Sequence, residues 1–106
     1  RLKEVFASLE MSARGKKCKA MEGLLEEAEE IIESFEGDPA LDAALISAAQ
    51  KVEHYEIASY GCLVTYAKLM EHSEAEQLLQ QTLDEEKQTD SLLTDIAMSS
   101  VNESAA

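Results

Sequence analysis

Residues 39–71 read PALDAALISAAQKVEHYEIASYGCLVTYAKLME. Apolar and small residues recur through this stretch at helical spacing, and only Gly61 interrupts a run of good helix formers. At the rise of an α-helix, the stretch would extend about 50 Å. Helices of that length are unusual in small globular domains and typical of helical bundles. The stretch therefore predicts an all-α fold organised around one long helix from Pro39 to Glu71.

The residues on either side of this helix also carry helical patterns. A periodic segment at 1–10 reads as the end of a helix, and a second helix is predicted at 17–35. Gly37, Asp38 and Pro39 supply a helix stop, an N-cap and a first-turn proline. The small, polar residues 99–106 are predicted to be frayed.

A fourth helix is predicted at 74–98, opened by a capping box. In the run Ser73-Glu74-Ala75-Glu76, the serine is expected at the N-cap and a glutamate follows three residues later. Only a residue or two connects this helix to the long one, so the two must run antiparallel as a hairpin.

Composition limits the classes of function. The chain has 106 residues, which is room for a single small domain, and a net charge of −13. Such a charge repels nucleic acid and anionic membrane surfaces, whereas it attracts cations. We therefore expect no nucleic-acid partner and no membrane partner. Cys18 and Cys62 are far apart among apolar residues, which predicts buried free thiols in a reducing cytoplasm.

Acidic residues interrupt the predicted inner faces of the long hairpin. Glu56 replaces an apolar residue in the stripe of the long helix, Glu53 lies one turn earlier, and Glu86 and Asp90 interrupt the partner helix. Counting from His72, Glu56 is 16 residues back and Glu86 is 14 residues on, so the two should lie at nearly the same level. A buried carboxylate must be neutralised, paired or bound to a metal.

Two interpretations of these carboxylates remain open from spacing alone. Several carboxylates at one level of a bundle core are typical of di-iron and di-manganese sites. Alternatively, the side chains pair with basic, tyrosine or backbone partners or lie at a solvated edge. His54 is expected to face solvent, because it projects about 180° from the core stripe on the side of Ser47 and Lys51. The tyrosines Tyr55, Tyr60 and Tyr66 are expected to pack and to donate hydrogen bonds.

The run VEHYEIASYG at 52–61 resembles the signature of the YciE/YciF-type ferritin-like proteins. The segments RLKEVF at 1–6, CKAMEGL at 18–24 and LDEEK at 83–87 are similar to the same family. The resemblance covers essentially the whole chain in order. It implies a ferritin-like four-helix bundle related to rubrerythrin, in bacterial proteins associated with stress responses, of which this chain carries the C-terminal part.

The resemblance also implies a dinuclear iron or manganese centre, with Glu53, Glu56 and Glu86 as the metal-binding carboxylates of this chain. The family pattern adds a glutamate on a first helix and a His-x-x-Glu motif on a second. The sequence is therefore interpreted as one partial domain over 1–106, without the first helix and most of the second. A metal-binding protein is one expected function, and a structural or assembly protein without catalysis is the alternative. Whether it is an enzyme stays open.

A hairpin without those helices would leave an apolar stripe uncovered. The residues expected in that stripe are Leu45, Val52, Leu63, Leu79, Leu83 and Leu93. Burial of such a surface favours association, so the sequence predicts a homodimer in which two hairpins complete one bundle. The dimer would bring Glu53, Glu56 and Glu86 of both chains to one level.

Overall fold

All regular elements of the protein are helical, which confirms the predicted all-α class. The structure is a computed structural model that describes residues 1–106 and contains no strand. In chain order the elements are α1 (Leu2–Ser8), α2 (Lys19–Ser34), α3 (Leu41–Leu69), α4 (Ser73–Ile96), a π-helix (Ala97–Val101) and α5 (Asn102–Ala105). No helix combines the length and the apolar character that crossing a membrane requires.

Local side-chain chemistry sets the first residues of α2 and α3. The sulfur of Cys18 accepts the backbone N–H of Met21 at 3.4 Å, so Cys18 is the N-cap of α2. Before α3, Gly37 adopts a φ of +75°. The carboxylate of Asp38 then accepts the N–H of Ala40 at 2.8 Å. The predicted stop at Gly37 is thus confirmed. Helix α3 begins only at Leu41, however, so the N-cap predicted at Asp38 and the first-turn position predicted for Pro39 are wrong.

The turn between α3 and α4 is a Schellman motif with a glutamate at its left-handed position. Glu71 has a φ of +58°. Its N–H donates to the carbonyl of Lys68 at 3.1 Å, and the N–H of His72 donates to the carbonyl of Ala67 at 2.9 Å. The N–H of Glu76 donates to the carbonyl of His72 at 2.9 Å. Helix α4 therefore begins at Ser73 itself, and the N-cap position predicted for Ser73 is wrong by one residue.

The end of the chain also differs from the prediction. Residues 99–106 were expected to be frayed, but the π-helix and α5 continue the helical path to Ala105. Ala97, at the first position of the π-helix, is buried at 8% exposure. Burial of this alanine anchors the segment, which a polar composition alone does not predict.

The chain divides into two compact units. The first unit comprises Arg1–Lys17 and Tyr55–Lys87. Its core joins α1, α3 and α4 through Val5, Ala67, Ala75 and Leu79. Partly buried side chains that pack on this core are Leu9, Tyr60, Val64 and Leu78.

The second unit comprises Cys18–His54 and Gln88–Ala106. Ala48 on α3 is buried in it at 6% exposure. An apolar groove lies along α2 and α3 in this unit. The residues that line it are Leu25, Ala28, Leu45, Ala48, Ala49, Val52 and Glu53.

Two predictions about burial are wrong. Leu79 and Leu83 were expected to need a second chain, but they are only 5% and 6% exposed within this one. Leu79 belongs to the core to which α1 contributes Val5, so the short N-terminal helix already supplies cover. Cys18 and Cys62 are both exposed rather than buried, and neither forms a disulfide. The cap position of Cys18 holds its sulfur at the end of α2.

The left-handed glutamate of the α3–α4 turn gives a stability test. Replacing Glu71 by glycine should raise the free energy of unfolding by about 1 kcal/mol. A side chain in the left-handed region costs about 1–2 kcal/mol, and the greater conformational entropy of glycine in the unfolded chain offsets part of the gain. Urea denaturation measures the change. Lys87→Gly, at an exposed position in the interior of α4, is the control and should lower the free energy of unfolding by about 1 kcal/mol. A loss of stability in both variants would contradict the assignment of the turn.

Candidate functional site

The first unit brings the carboxyl groups of Glu56 and Glu86 together. Glu56 lies on α3 and Glu86 lies on α4, and both side chains are half-buried. Burial raises the pKa of Glu56, and the negative charge of Glu86 raises it further. In its neutral form Glu56 can donate a hydrogen bond to Glu86, which acts in the same direction. The two residues therefore meet at one level, as the count from the turn predicted.

No basic side chain neutralises this carboxylate pair. Neither Glu56 nor Glu86 takes part in an ion pair in the structure. The nearby guanidinium of Arg1 instead bonds both carboxylate oxygens of Glu85, at 2.7 and 2.8 Å, and the hydroxyl of Thr82 at 2.8 Å. This contact holds the pKa of the Glu85 carboxyl below its usual range. The open alternative of a salt-bridged core pair is thereby removed for Glu56 and Glu86.

Tyr60 lies one turn after Glu56 and senses the same charges. Burial raises the pKa of its phenol, and the charges of Glu56 and then Glu86 raise it further. Arg1 acts in the opposite direction. The phenol is thus held protonated beside two carboxyl groups, which suits the hydrogen-bonding role predicted for it.

Glu53 belongs to the second unit. One oxygen of its carboxylate is buried, and the residue lines the apolar groove of α2 and α3. The structure contains no group of three or more histidine, cysteine, aspartate or glutamate side chains arranged to hold a metal ion. Of the three predicted ligands, it brings Glu56 and Glu86 together.

The second unit contains one contact that the sequence did not predict. His54 is exposed, as expected, but its Nε2 lies 3.1 Å from Oδ1 of Asp90. Gln50 lies nearby and donates to the hydroxyl of Thr94 at 2.8 Å. The sequence placed Asp90 on the inner face of α4 and His54 on the outer face of α3. Only the rotation of each helix about its axis decides that these side chains meet.

Tyr60 provides a test of the charges at the carboxylate pair. In the Glu56→Gln/Glu86→Gln variant, the pKa of Tyr60 should fall toward its ordinary value, because two negative charges that oppose ionisation are removed. Burial should keep it above that value. NMR titration of the tyrosine ring signals measures the shift.

A Glu74→Gln/Glu76→Gln variant is the control for this titration, because it removes the same charge at the start of α4. It should leave the ionisation of Tyr60 as in the wild type. An equal response of Tyr60 in both variants would show that it senses only the net charge.

Known proteins agree with this fold. The chain is 61% identical over 89 residues to the protein YciF of Escherichia coli strain K12, an alignment that covers 84% of this chain and 54% of the relative. The chain thus spans about half the length of that curated relative. The crystal structure of the E. coli stress protein YciF superposes with a TM-score of 0.88 at 54% identity, covering 95% of this chain and 64% of that one.

These matches confirm the predicted resemblance and the ferritin-like four-helix-bundle class. They relate the chain to a protein described as a stress protein. A family model described as a domain of unknown function, DUF892, matches residues 1–106. Because that match extends over the whole sequence, the chain belongs to the DUF892 family.

Proposed function

We propose that this chain supplies carboxylate ligands to an iron or manganese centre, with Glu56 and Glu86 as the ligands it brings together. The observation that carries the proposal is the half-buried pair itself, which lacks a basic partner. Two carboxylates in that position repel each other and lose hydration. A divalent cation between them would offset both costs.

The chemistry of the donors fits such ions. Carboxylate oxygens are hard ligands, which suit divalent iron and manganese. The net charge of −13 attracts cations toward the chain. The phenol of Tyr60 is close enough to the pair for the charges of Glu56 and Glu86 to raise its pKa, so it keeps a proton beside the proposed ligands. Bound iron or manganese would supply redox chemistry toward oxygen or peroxide, and the residues of this chain would hold and orient the ions.

The residues of this chain fit a part of a dinuclear ligand set. Carboxylate-bridged sites in bundles use ligands from four helices, and two of the positions are accounted for by Glu56 and Glu86. Glu53 is proposed as a third ligand on the basis of the family resemblance. The remaining ligands would come from helices outside these residues or from a second copy. The relative YciF, of which the chain spans about half, is long enough for the first arrangement.

A structural or assembly role in stress is the second candidate. One observation favours it: no group of three or more potential ligands is arranged around a metal position. On this alternative, Glu56 and Glu86 carry no ion, and the neutral form of Glu56 relieves the repulsion. The two candidates differ in one measurable property, which is the affinity for divalent iron or manganese.

Metal binding is the direct test. The wild-type chain should bind Fe²⁺ or Mn²⁺ in equilibrium dialysis with elemental analysis. The Glu56→Gln/Glu86→Gln variant should bind at least about tenfold more weakly, a change of about 1.4 kcal/mol. Glu74→Gln/Glu76→Gln keeps the same net charge as that variant and should retain wild-type affinity. Equal affinities of all three proteins would contradict the ligand assignment and favour the structural role.

The metal-free protein gives an independent readout. The pKa of Glu56 is raised in the folded state, so the protonated carboxyl group contributes to the free energy of unfolding. This contribution is fully present below the unfolded-state pKa, and it is lost as the pH rises through the folded-state pKa. Glu56→Gln should therefore stabilise the metal-free fold at neutral pH and leave it unchanged in acid. Urea denaturation at both pH values separates this effect from misfolding of the variant.

We also propose that the chain associates with a second copy. The exposed apolar residues Leu63 and Tyr66 lie on one stripe of α3, and Met70 follows directly after the helix, with exposures of 43%, 55% and 59%. They replace the buried Leu79 and Leu83 as the expected contact surface. An apolar stripe of this kind is typical of an interface between protein chains.

Sedimentation equilibrium tests the association at moderate ionic strength. The wild type should sediment above the monomer mass of 11.6 kDa, because association removes the stripe from water. Leu63→Lys/Tyr66→Lys should sediment as a monomer. Ala58→Lys/Thr65→Lys adds the same charges to other exposed positions of α3 and should behave as the wild type. A well-folded wild-type monomer would refute the proposal.

A further inference from the structure

A polar groove runs between α3 and α4 in the second unit. Its six lining residues are Ser47, Gln50, Lys51, His54, Asp90 and Thr94. All six belong to Cys18–His54 or Gln88–Ala106. The groove therefore belongs to the second unit, whereas the carboxylate pair of Glu56 and Glu86 belongs to the first.

The central feature of this groove is an unusual contact between His54 and Asp90. Nε2 of the imidazole lies 3.1 Å from Oδ1 of the carboxylate, which is close enough for an ion pair. Yet Oδ1 is buried and accepts no hydrogen bond, so the two atoms lack the alignment of a donor and its acceptor. A buried carboxylate oxygen that receives no donor is costly. The contact thus leaves Oδ1 of Asp90 without a hydrogen-bond donor, and another partner could bind it.

The separation of these two atoms matches that of two ligands on one metal ion. Zinc–nitrogen and zinc–oxygen bonds are about 2.0–2.2 Å long. Two ligand atoms at those distances are about 3.1 Å apart when the angle at the metal is about 100°. That angle lies between the tetrahedral and octahedral values. Imidazole nitrogen with carboxylate oxygen is also a common ligand combination for zinc.

Hydrogen bonds hold Asp90 in place without using its carboxylate. Nε2 of Gln50 donates to the backbone carbonyl of Asp90 at 3.4 Å and to the hydroxyl of Thr94 at 2.8 Å. The hydroxyl of Thr94 donates to the same carbonyl at 3.3 Å. These bonds join α3 to α4 beside His54. The site is therefore positioned by the backbone of α4, and Oδ1 of Asp90 stays available as a ligand.

The groove is open to solvent on the side of the imidazole, from which an ion would approach the buried oxygen of Asp90. The side chain of His54 is 69% exposed, whereas that of Asp90 is 23% exposed. Lys51 is the one basic side chain that lines the groove, and it lies on the exposed side of α3, where its ammonium group can extend into water. The acidic chain as a whole attracts cations, so Lys51 weakens binding without preventing it.

We propose that Nε2 of His54 and Oδ1 of Asp90 form a two-ligand surface site for a divalent transition-metal ion of the zinc class, with water completing the coordination. The ion would satisfy the buried oxygen and connect α3 to α4. This site is distinct from the proposed iron or manganese centre, because its ligands include an imidazole and it uses neither Glu56 nor Glu86.

Zinc titration followed by NMR of the histidine imidazole nitrogens tests the site at mildly alkaline pH, where imidazole is neutral. The chain has two histidines, so His72 is an internal reference. Zn²⁺ should shift the Nε2 signal of His54 saturably and leave that of His72 in place. Asp90→Asn should weaken zinc binding at His54 at least tenfold. Circular dichroism of the variant checks that its helices are intact.

Two further variants make the outcome specific. His72→Asn should leave the response of His54 unchanged, and so should Glu56→Gln/Glu86→Gln. Loss of the His54 response in the latter variant would place the zinc at the carboxylate pair and overturn the proposal, independently of the iron and manganese result. An unshifted His54 in the wild type, or wild-type affinity in Asp90→Asn, would also overturn it.

Discussion

Close contact between small side chains is the constraint on which the first unit depends. Two of the five buried residues of this unit are alanines, and Ala75, at 2% exposure, is the most buried of the five. Ala67 before the turn between α3 and α4 and Ala75 after it belong to one core, which Val5 of α1 and Leu79 complete. Small residues let helix backbones approach closely, and a close approach leaves little freedom to slide. The register of α3 against α4 follows from this contact, and it is this register that sets Glu56 beside Glu86.

That register creates an electrostatic cost that the protein does not remove. A guanidinium is available in the same unit, yet Arg1 makes its bidentate contact with Glu85 and Thr82. Glu56 and Glu86 are left with each other, and the raised pKa of Glu56 is the consequence. A leucine at either position would extend the apolar stripes of α3 and α4 without that cost. Acidic groups retained where apolar ones would pack better are characteristic of functional sites, which is why the pair supports a cation-binding role.

The sequence predicted those features that depend on helical period and on distance along the chain. The long α3, the glycine stop at Gly37, and the meeting of Glu56 with Glu86 all follow from such local rules. It failed where burial depends on neighbours from elsewhere in the chain. Leu79 was assigned to an exposed stripe because the cover that Val5 provides is remote in sequence. Cys18 was assigned to a core because its neighbours are apolar, but its position at the N-cap of α2 depends on a backbone conformation that those neighbours do not reveal. The contact of His54 with Asp90 depends on small helix rotations, which no residue pattern encodes.

Helix α4 presents two acidic interruptions four residues apart, and their surroundings give them different chemistry. Glu86 meets another carboxyl group, so any ligand set built on it begins with oxygen atoms alone. Asp90 meets an imidazole, so a set built there begins with one nitrogen and one oxygen. Ligand sets made only of oxygen atoms favour hard metal ions, whereas sets that mix nitrogen and oxygen favour metal ions of borderline hardness. On the two proposals above, the residue opposite each carboxylate on α3 would determine which cations that carboxylate can hold. One helix that carries a carboxylate twice would then distinguish classes of ion through the residues it meets, without any difference in its own side-chain chemistry.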